Sequence, residues 1–179
     1  KYNYKFLDDY PGYREHKPPS QGGTPTEEPP LEDQDEISVW IFQANPNRYD
    51  ILNALGDPEI GNQIHWLVNQ YRNRIHKNHL ALIWMSGKEA GIYALARIEC
   101  EPTLLSEFTP EKKYWLGEYG KELEIRVKLT TLNNFINKPI FKQELLKIPG
   151  LANLSILRQY QGTNFPMRDA EWKIISQLF

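Results

Sequence analysis

Two kinds of apolar spacing alternate along this chain. Residues 37–44, ISVWIFQA, are apolar almost without a break, the pattern of a strand buried on both faces. Asn45 then stands before Pro46, a capping side chain followed by a ring suited to the first helical turn. A short helix is therefore expected over 47–55, closed by Gly56. Asp57-Pro58 repeats the device and predicts a second helix over roughly 59–75 (nearly five turns), with Ile64, Leu67, Val68, Tyr71 and Ile75 as its apolar stripe. Strands are expected at 80–86 and 91–98. In 122–130, ELEIRVKLT, the spacing drops to two, with Leu123, Ile125, Val127 and Leu129 on one face and charges on the other. KPIFKQELLKI, 138–148, reads as an amphipathic helix, and 169–179 as a last short one. Residues 101–121 form a long excursion, and the spacing leaves 153–160 undecided. Strands with peripheral helices and no strand–helix–strand rhythm predict an α+β fold around a strongly bent, barrel-like sheet.

Composition divides the chain in two. Residues 1–36 hold six of the 13 prolines, and nine of the 23 acids against four of the 21 bases. An acidic, Pro-rich stretch with few aliphatics after Leu7 has little to bury and reads as a flexible arm or linker. The folded unit is expected over 37–179, where 17 bases face 14 acids. That mild excess suits a few phosphate contacts and not a broad coating of nucleic acid. No apolar run approaches the roughly 18 residues of a membrane span. The first residue is Lys, so the sequence reads as a segment of a longer chain. Cys100 is the single cysteine, which fits a reducing, cytoplasmic setting.

The five tryptophans divide by context. Trp40, in a buried strand, and Trp172, in the last helix, read as core. Trp66 falls off the stripe of its predicted helix, among Asn62, Gln63, Asn69 and Gln70, and serves as core or as a binding wall. Trp84, at a strand end, leaves the same two readings open. Trp115, in KKYWLGEYG, lies in an irregular segment of the kind that carries binding residues. The basic run Arg72, Arg74, His76 and Lys77 is either a solvated face or a set of phosphate contacts. Flat aromatic faces beside cations suit a planar base next to a phosphate backbone.

Catalytic patterns are not evident. The sequence has no nucleophile elbow, no paired-histidine zinc helix and no Gly-rich loop ending in Lys-Ser or Lys-Thr. His76 and His79 are three apart but lack further ligands, so no metal or cofactor is implied. Glu111-Lys112-Lys113 reads as surface charge, and Glu122 and Glu124 as the polar side of a strand.

An ordered series of segments then becomes informative: SVWIFQANPNRYD, IHWLVNQYRNRIHK, LALIWMSGKEAGIYALARI, YWLGEYG before EIRVKLT, and RQYQGTNFPMRDAEW. Over about three quarters of the chain this series resembles an EVE domain, a PUA-like fold related to YTH domains. The resemblance implies a compact bent sheet with helices at its sides. It also implies a non-catalytic reader of a modified base, 5-methylcytosine or 5-hydroxymethylcytosine in DNA, turned out of its strand into an aromatic cage. Trp66 and Trp115 would be cage walls and Trp84 would lie close by. Asn45 and Gln43 would meet the base edge, beside a turn at Ser86 and Gly87. Arg72, Arg74, Lys77 and Lys88 would touch the backbone. The chain departs from the family at Asn78-His79, where similar sequences have Gly-Asp; Asn tolerates the left-handed backbone that such a turn uses. Family members are often joined to nuclease or nucleotide-hydrolysing restriction machinery, which makes such a partner an expectation. Three other readings stay open: a reader of modified RNA such as methylated adenine, an enzyme acting on a base or nucleotide, and a methyl-lysine module.

Overall fold

A computed structural model describes residues 38–60, 62–106, 109–117, 123–159 and 161–179. The acidic segment 1–36 and Glu122 lie outside the described residues. The sheet is a strongly curled, mixed half-barrel of eight strands with a few short helices. Its strands are β1 (Val39–Ala44), β2 (Gln63–Leu67), β3 (Leu80–Met85), β4 (Gly91–Ile98), β5 (Thr103–Leu105), β6 (Glu124–Asn134), β7 (Ile140–Phe141) and β8 (Asn164–Met167). They run in the order β2-β6-β4-β3-β1-β8, with β5 on β6 and β7 on β4. β1 and β3 are parallel and the other pairs antiparallel. Register shifts at Ile83/Trp84 and Leu95/Ala96 mark bulges, which sharpen local twist and help the sheet curl.

Strand alternation builds two apolar layers. Val39, Ile41, Leu82, Trp84 and Ile92 face a core shared with Leu145, Leu151, Leu154 and Ile175 from the helical side. The alternate residues turn into the bend, where Trp40 and Phe42 of β1 share a face with the small side chains Ala81 of β3 and Ala94 and Ala96 of β4. Large rings opposite alanines fill a tight interior without overpacking it. Gly91 is required by contact, because a Cβ there would lie 2.6 Å from the Ile140 carbonyl oxygen.

The helices are shorter than their sequence patterns suggest. α1 spans Ile51–Gly56 and is capped by Asp50, whose carboxylate accepts from the Asn53 N–H. Asn45 does not open it; the Asn45 amide oxygen accepts from the Asn47 N–H at 2.9 Å and forms a turn. The helix expected over 59–75 is absent. Its place is taken by β2 and by turns, because Ile64 and Trp66 alternate with His65 and Leu67 and pair with Leu129 and Val127 of β6. Tyr71 has φ 57°, which would interrupt a right-handed helix in any case. The 138–148 segment gives β7 and a single turn, α2 (Lys142–Leu145), since Ile140 and Phe141 pair with β4. α3 (Ser155–Arg158) and α4 (Asp169–Ile175) complete the helical side.

The β6 alternation also needs correction. Val127 and Leu129 are buried, whereas Leu123 is 63% exposed and Arg126 is 0% exposed. The face expected to be solvated is covered there by the segment holding Trp115. Among the described residues no helix is long and apolar enough to cross a membrane.

Candidate functional site

The carboxyl ends of the parallel strands β1 and β3 bring several of the expected residues together. The Ser86 hydroxyl donates to the Ala44 carbonyl at 3.1 Å, and the Ser86 N–H donates to the same oxygen. Gly87 has φ 96°, and a Cβ there would lie 3.7 Å from the Pro46 ring. The Ser86-Gly87 turn therefore sits against the Asn45-Pro46 turn, with Lys88 exposed beside it. Gln43, two residues before Asn45 and on β1, is buried, and its amide donates to the Gly162 carbonyl at 3.0 Å.

The three indoles occupy three places. Trp66 turns into the bend and is 6% exposed, its ring 6.2 Å from that of Phe42. Trp84 pairs beside Gln43 but belongs to the helix-side core, on the opposite face of the sheet. Trp115 is part-buried, 4.9 Å from the Tyr49 ring and 5.6 Å from the Arg126 guanidinium carbon. No single cage with three indole walls is formed.

The Trp115 segment is firmly attached. A 3-10 helix at Thr109–Tyr114 leads into it, and the backbone bridges Tyr49 to Trp115. The Asp50 N–H donates to the Tyr114 carbonyl, and the Leu116 N–H to the Arg48 carbonyl. Lys113 lies 2.7 Å from Asp57 and 2.6 Å from Glu59, while the Tyr114 hydroxyl donates to Asp57 at 2.6 Å. Hydrogen bonds from Lys113, Tyr114 and the Glu59 N–H lower the Asp57 carboxyl to about 2.

Glu111 is not surface charge. It is 1% exposed, accepts from the Tyr49 hydroxyl at 3.2 Å and accepts from the His65 N–H. The 3-10 turn carries it inward to the side of β2. Burial, then the negative Glu111, drives the Tyr49 hydroxyl far above its ordinary titration range, so it stays a proton donor. Burial likewise lowers the His65 imidazole, with Lys128 and Arg126 acting in the same direction.

The basic residues do not form one patch. Arg72 donates to the Val68 carbonyl at 3.1 Å, and Arg72 and Lys77 are exposed in the turns before β3, with Arg74 part-buried. The Lys77 N–H donates to Glu101, whose carboxyl is lowered by that bond and then by His76. Lys88 lies at the far end of β3, about 20 Å from Lys77 for six residues of strand. Asn78 takes φ 70°, the left-handed conformation expected of that turn. The His79 ring accepts from the Trp40 indole N–H at 3.1 Å and anchors the turn to β1.

Sequence reasoning missed a polar seam. Asn69, Gln70, Thr163 and Asn164 join the end of β2 to the start of β8 through side-chain amides. Polar residues around Trp66 were the signal, but they served there to place the indole on a helix. Among the described residues no group of three His, Cys, Asp or Glu side chains could hold a metal ion.

The EVE domain family model matches residues 38–178. Among curated proteins no sequence matches. A hypothetical protein from Leishmania major is 18% identical, with TM-score 0.56, covering 79% of this chain and 94% of its own. Rpa0253 from Rhodopseudomonas palustris is 14% identical, with TM-score 0.55 and coverages of 78% and 91%. Human THYN1, solved in complex with DNA containing 5-methylcytosine, is 16% identical, with TM-score 0.53 and coverages of 78% and 96%. At such identities these likenesses carry the fold alone.

Proposed function

This chain belongs to the EVE domain family, and from that premise we propose that it is a non-catalytic reader of a modified base in DNA. The base is 5-methylcytosine or 5-hydroxymethylcytosine, turned out of the duplex. Trp115 provides its aromatic contact, and Trp66, on the other face of the β2–β6 pair, backs the site from within the bend. Asn45, Gln43, Ser86 and Gly87 provide the polar edge, with Trp84 supporting Gln43 from the helix-side core. The observation that carries this reading is the convergence of two turns at the ends of β1 and β3, Asn45-Pro46 against Ser86-Gly87, on a fold that THYN1 shares.

The energetics are consistent. Extruding a base costs a few kcal/mol. Stacking returns about 1–3 kcal/mol per base, and burying one methyl adds about 0.8 kcal/mol. One methyl gives only modest discrimination, so polar contacts must fix the ring before its 5-position is read. Arg72, Arg74, Lys77 and Lys88 contact phosphates, which position the duplex without reading it. The domain supplies specificity to a larger assembly, with a nuclease or nucleotide-hydrolase partner doing any chemistry.

The test is fluorescence-polarisation binding to matched duplexes carrying cytosine, 5-methylcytosine, 5-hydroxymethylcytosine or N6-methyladenine, with an RNA strand of the same sequence as competitor. Tighter binding to one modified-cytosine duplex supports the reading. Equal binding to all duplexes sinks it, and a preference for the RNA strand transfers the role to RNA.

A further inference from the structure

Arg126 is the largest buried charged side chain described, at 0% exposure on the outer face of β6. Its Nη2 meets Glu124 at 2.6 Å, and its Nη1 reaches the His65 carbonyl at 3.5 Å. Its Nε has no hydrogen-bond partner among the described residues. The Trp115 indole lies over the same guanidinium, and its Nε1 is also buried without a partner. Buried donors are nearly always satisfied, so two orphans in one cluster call for an explanation. Both are N–H groups, and both would be satisfied by neighbouring acceptor atoms.

Resting on the reading of the chain as a base reader, we infer that Trp115 Nε1–H and Arg126 Nε–H recognise the O2/N3 edge of a cytosine ring, Trp115 donating to N3 and Arg126 to O2. Cytosine carries two adjacent acceptors there. Thymine and uracil place an N–H at the ring N3 position, which would face donors with a donor. Adenine has no two adjacent acceptors on that edge. The 5-position lies across the ring from C2, so a base held by O2 and N3 points its modified carbon away from Arg126. Glu124 fixes the guanidinium before a base arrives, while the indole, beside the Tyr49 ring, brings its N–H onto the base edge as it moves. Trp115, being only part-buried, is the wall that turns to admit the ring.

The test uses the full chain with 15N-labelled indoles. It is titrated with a 5-methylcytosine duplex and with the same duplex in which the ring N3 is replaced by C–H. Trp115→Phe, which keeps an aromatic ring and removes the donor, assigns the indole signal and serves as the variant. The wild type is expected to bind the methylcytosine duplex about tenfold more tightly than the 3-deaza duplex, the scale of one lost polar contact. The Trp115 N–H signal moves downfield with the first duplex and not with the second. Trp115→Phe loses the same factor on methylcytosine and nothing further on the 3-deaza duplex. An unmoved Trp115 signal, or independent losses that multiply, overturns the donor assignment while leaving the reader intact. A wild type that binds no modified-cytosine duplex overturns the reader and this inference together. The signal is read in the wild type, so the donor assignment is tested even where a variant fails to fold.

Discussion

Asn164 and Gln70 hold each other's backbones. The Asn164 amide oxygen accepts from the N–H groups of Asn69 at 2.9 Å and Gln70 at 3.3 Å, and its amide nitrogen donates to the Leu67 carbonyl at 2.9 Å. The Gln70 amide oxygen accepts in return from the N–H groups of Thr163 at 3.0 Å and Asn164 at 3.2 Å. β2 and β8 stand at the two ends of the sheet order, so these two side chains close the bend where a strand ladder does not. Asn164→Ala should therefore cost roughly 2–3 kcal/mol, since Asn164 is 1% exposed and its amide serves three backbone groups, those of Leu67, Asn69 and Gln70. Gln70, which is exposed, should cost about 1 kcal/mol or less as Ala. The double variant should cost less than the sum, because the two amides share partners. Urea denaturation of the four proteins measures the coupling; strict additivity would show that the seam is not one unit.

Trp66 packs inside the bend, behind the proposed binding surface. At 6% exposure against Phe42, truncation to Ala should destabilise the fold by about 3–5 kcal/mol. Loss of DNA binding in Trp66→Ala would then report unfolding as readily as a lost wall. Trp66→Phe retains most of the interior volume and should cost about 1–2 kcal/mol. If Trp66 stacks on a base, Trp66→Phe should fold, as judged by thermal unfolding, and still bind the modified duplex several-fold more weakly. Unchanged affinity in a folded Trp66→Phe would assign this indole to the core alone.

Alkaline pH should loosen the Tyr49–Glu111 contact. The folded-state value of the Tyr49 hydroxyl is raised by burial and then by the Glu111 charge, so the native chain keeps the proton after the unfolded chain has lost it. The stability from this contact is complete below about pH 10, the unfolded value for Tyr, and falls as pH rises above it. Urea midpoints measured between pH 8 and 11 (roughly spanning that value) should decline at the upper end. Tyr49→Phe should flatten the decline and cost about 1–3 kcal/mol at neutral pH, because the Glu111 carboxylate loses a buried donor. An undiminished alkaline decline in Tyr49→Phe would assign it to other groups.

Much of the architecture was legible because strands buried on both faces announce themselves. ISVWIFQA, LALIWM and GIYALARI read directly as β1, β3 and β4. The series of segments that resembles an EVE domain also identified the family that the 38–178 match shows. The second helix failed for a physical reason. Ile64, Leu67, Val68, Tyr71 and Ile75 fit a helical stripe, but the five residues of β2 obey a period of two and have β6 to pair with. Local spacing cannot weigh a partner strand some 60 positions away, and this one overrode it. β8 was harder still, since Pro166 sits in a strand of four residues, which an edge position permits. Among the site residues, the Ser86-Gly87 turn was visible from the sequence, whereas Asn45 read as a helix cap and instead forms a turn with Asn47, Asp50 capping the helix. Arg126 and Glu111 were read as solvated because charge in an alternating strand or a loop is usually outside; here one segment covers both.

The separation of the cations makes the last prediction. Arg72 precedes β3 and Lys88 follows it, about 20 Å of strand apart. If both touch phosphate, each neutralises a different one and neither can replace the other. Arg72→Ala and Lys88→Ala should each make the slope of log affinity against log salt shallower by about 0.9, and the double variant by about twice that. Both should weaken modified and unmodified duplexes by the same factor, because phosphate contacts position without specifying. A slope unchanged in Lys88→Ala would remove that end of β3 from the footprint and place the duplex over the 71–79 turns. A change in the modified-to-unmodified ratio would instead bring the substituted side chain to the base itself.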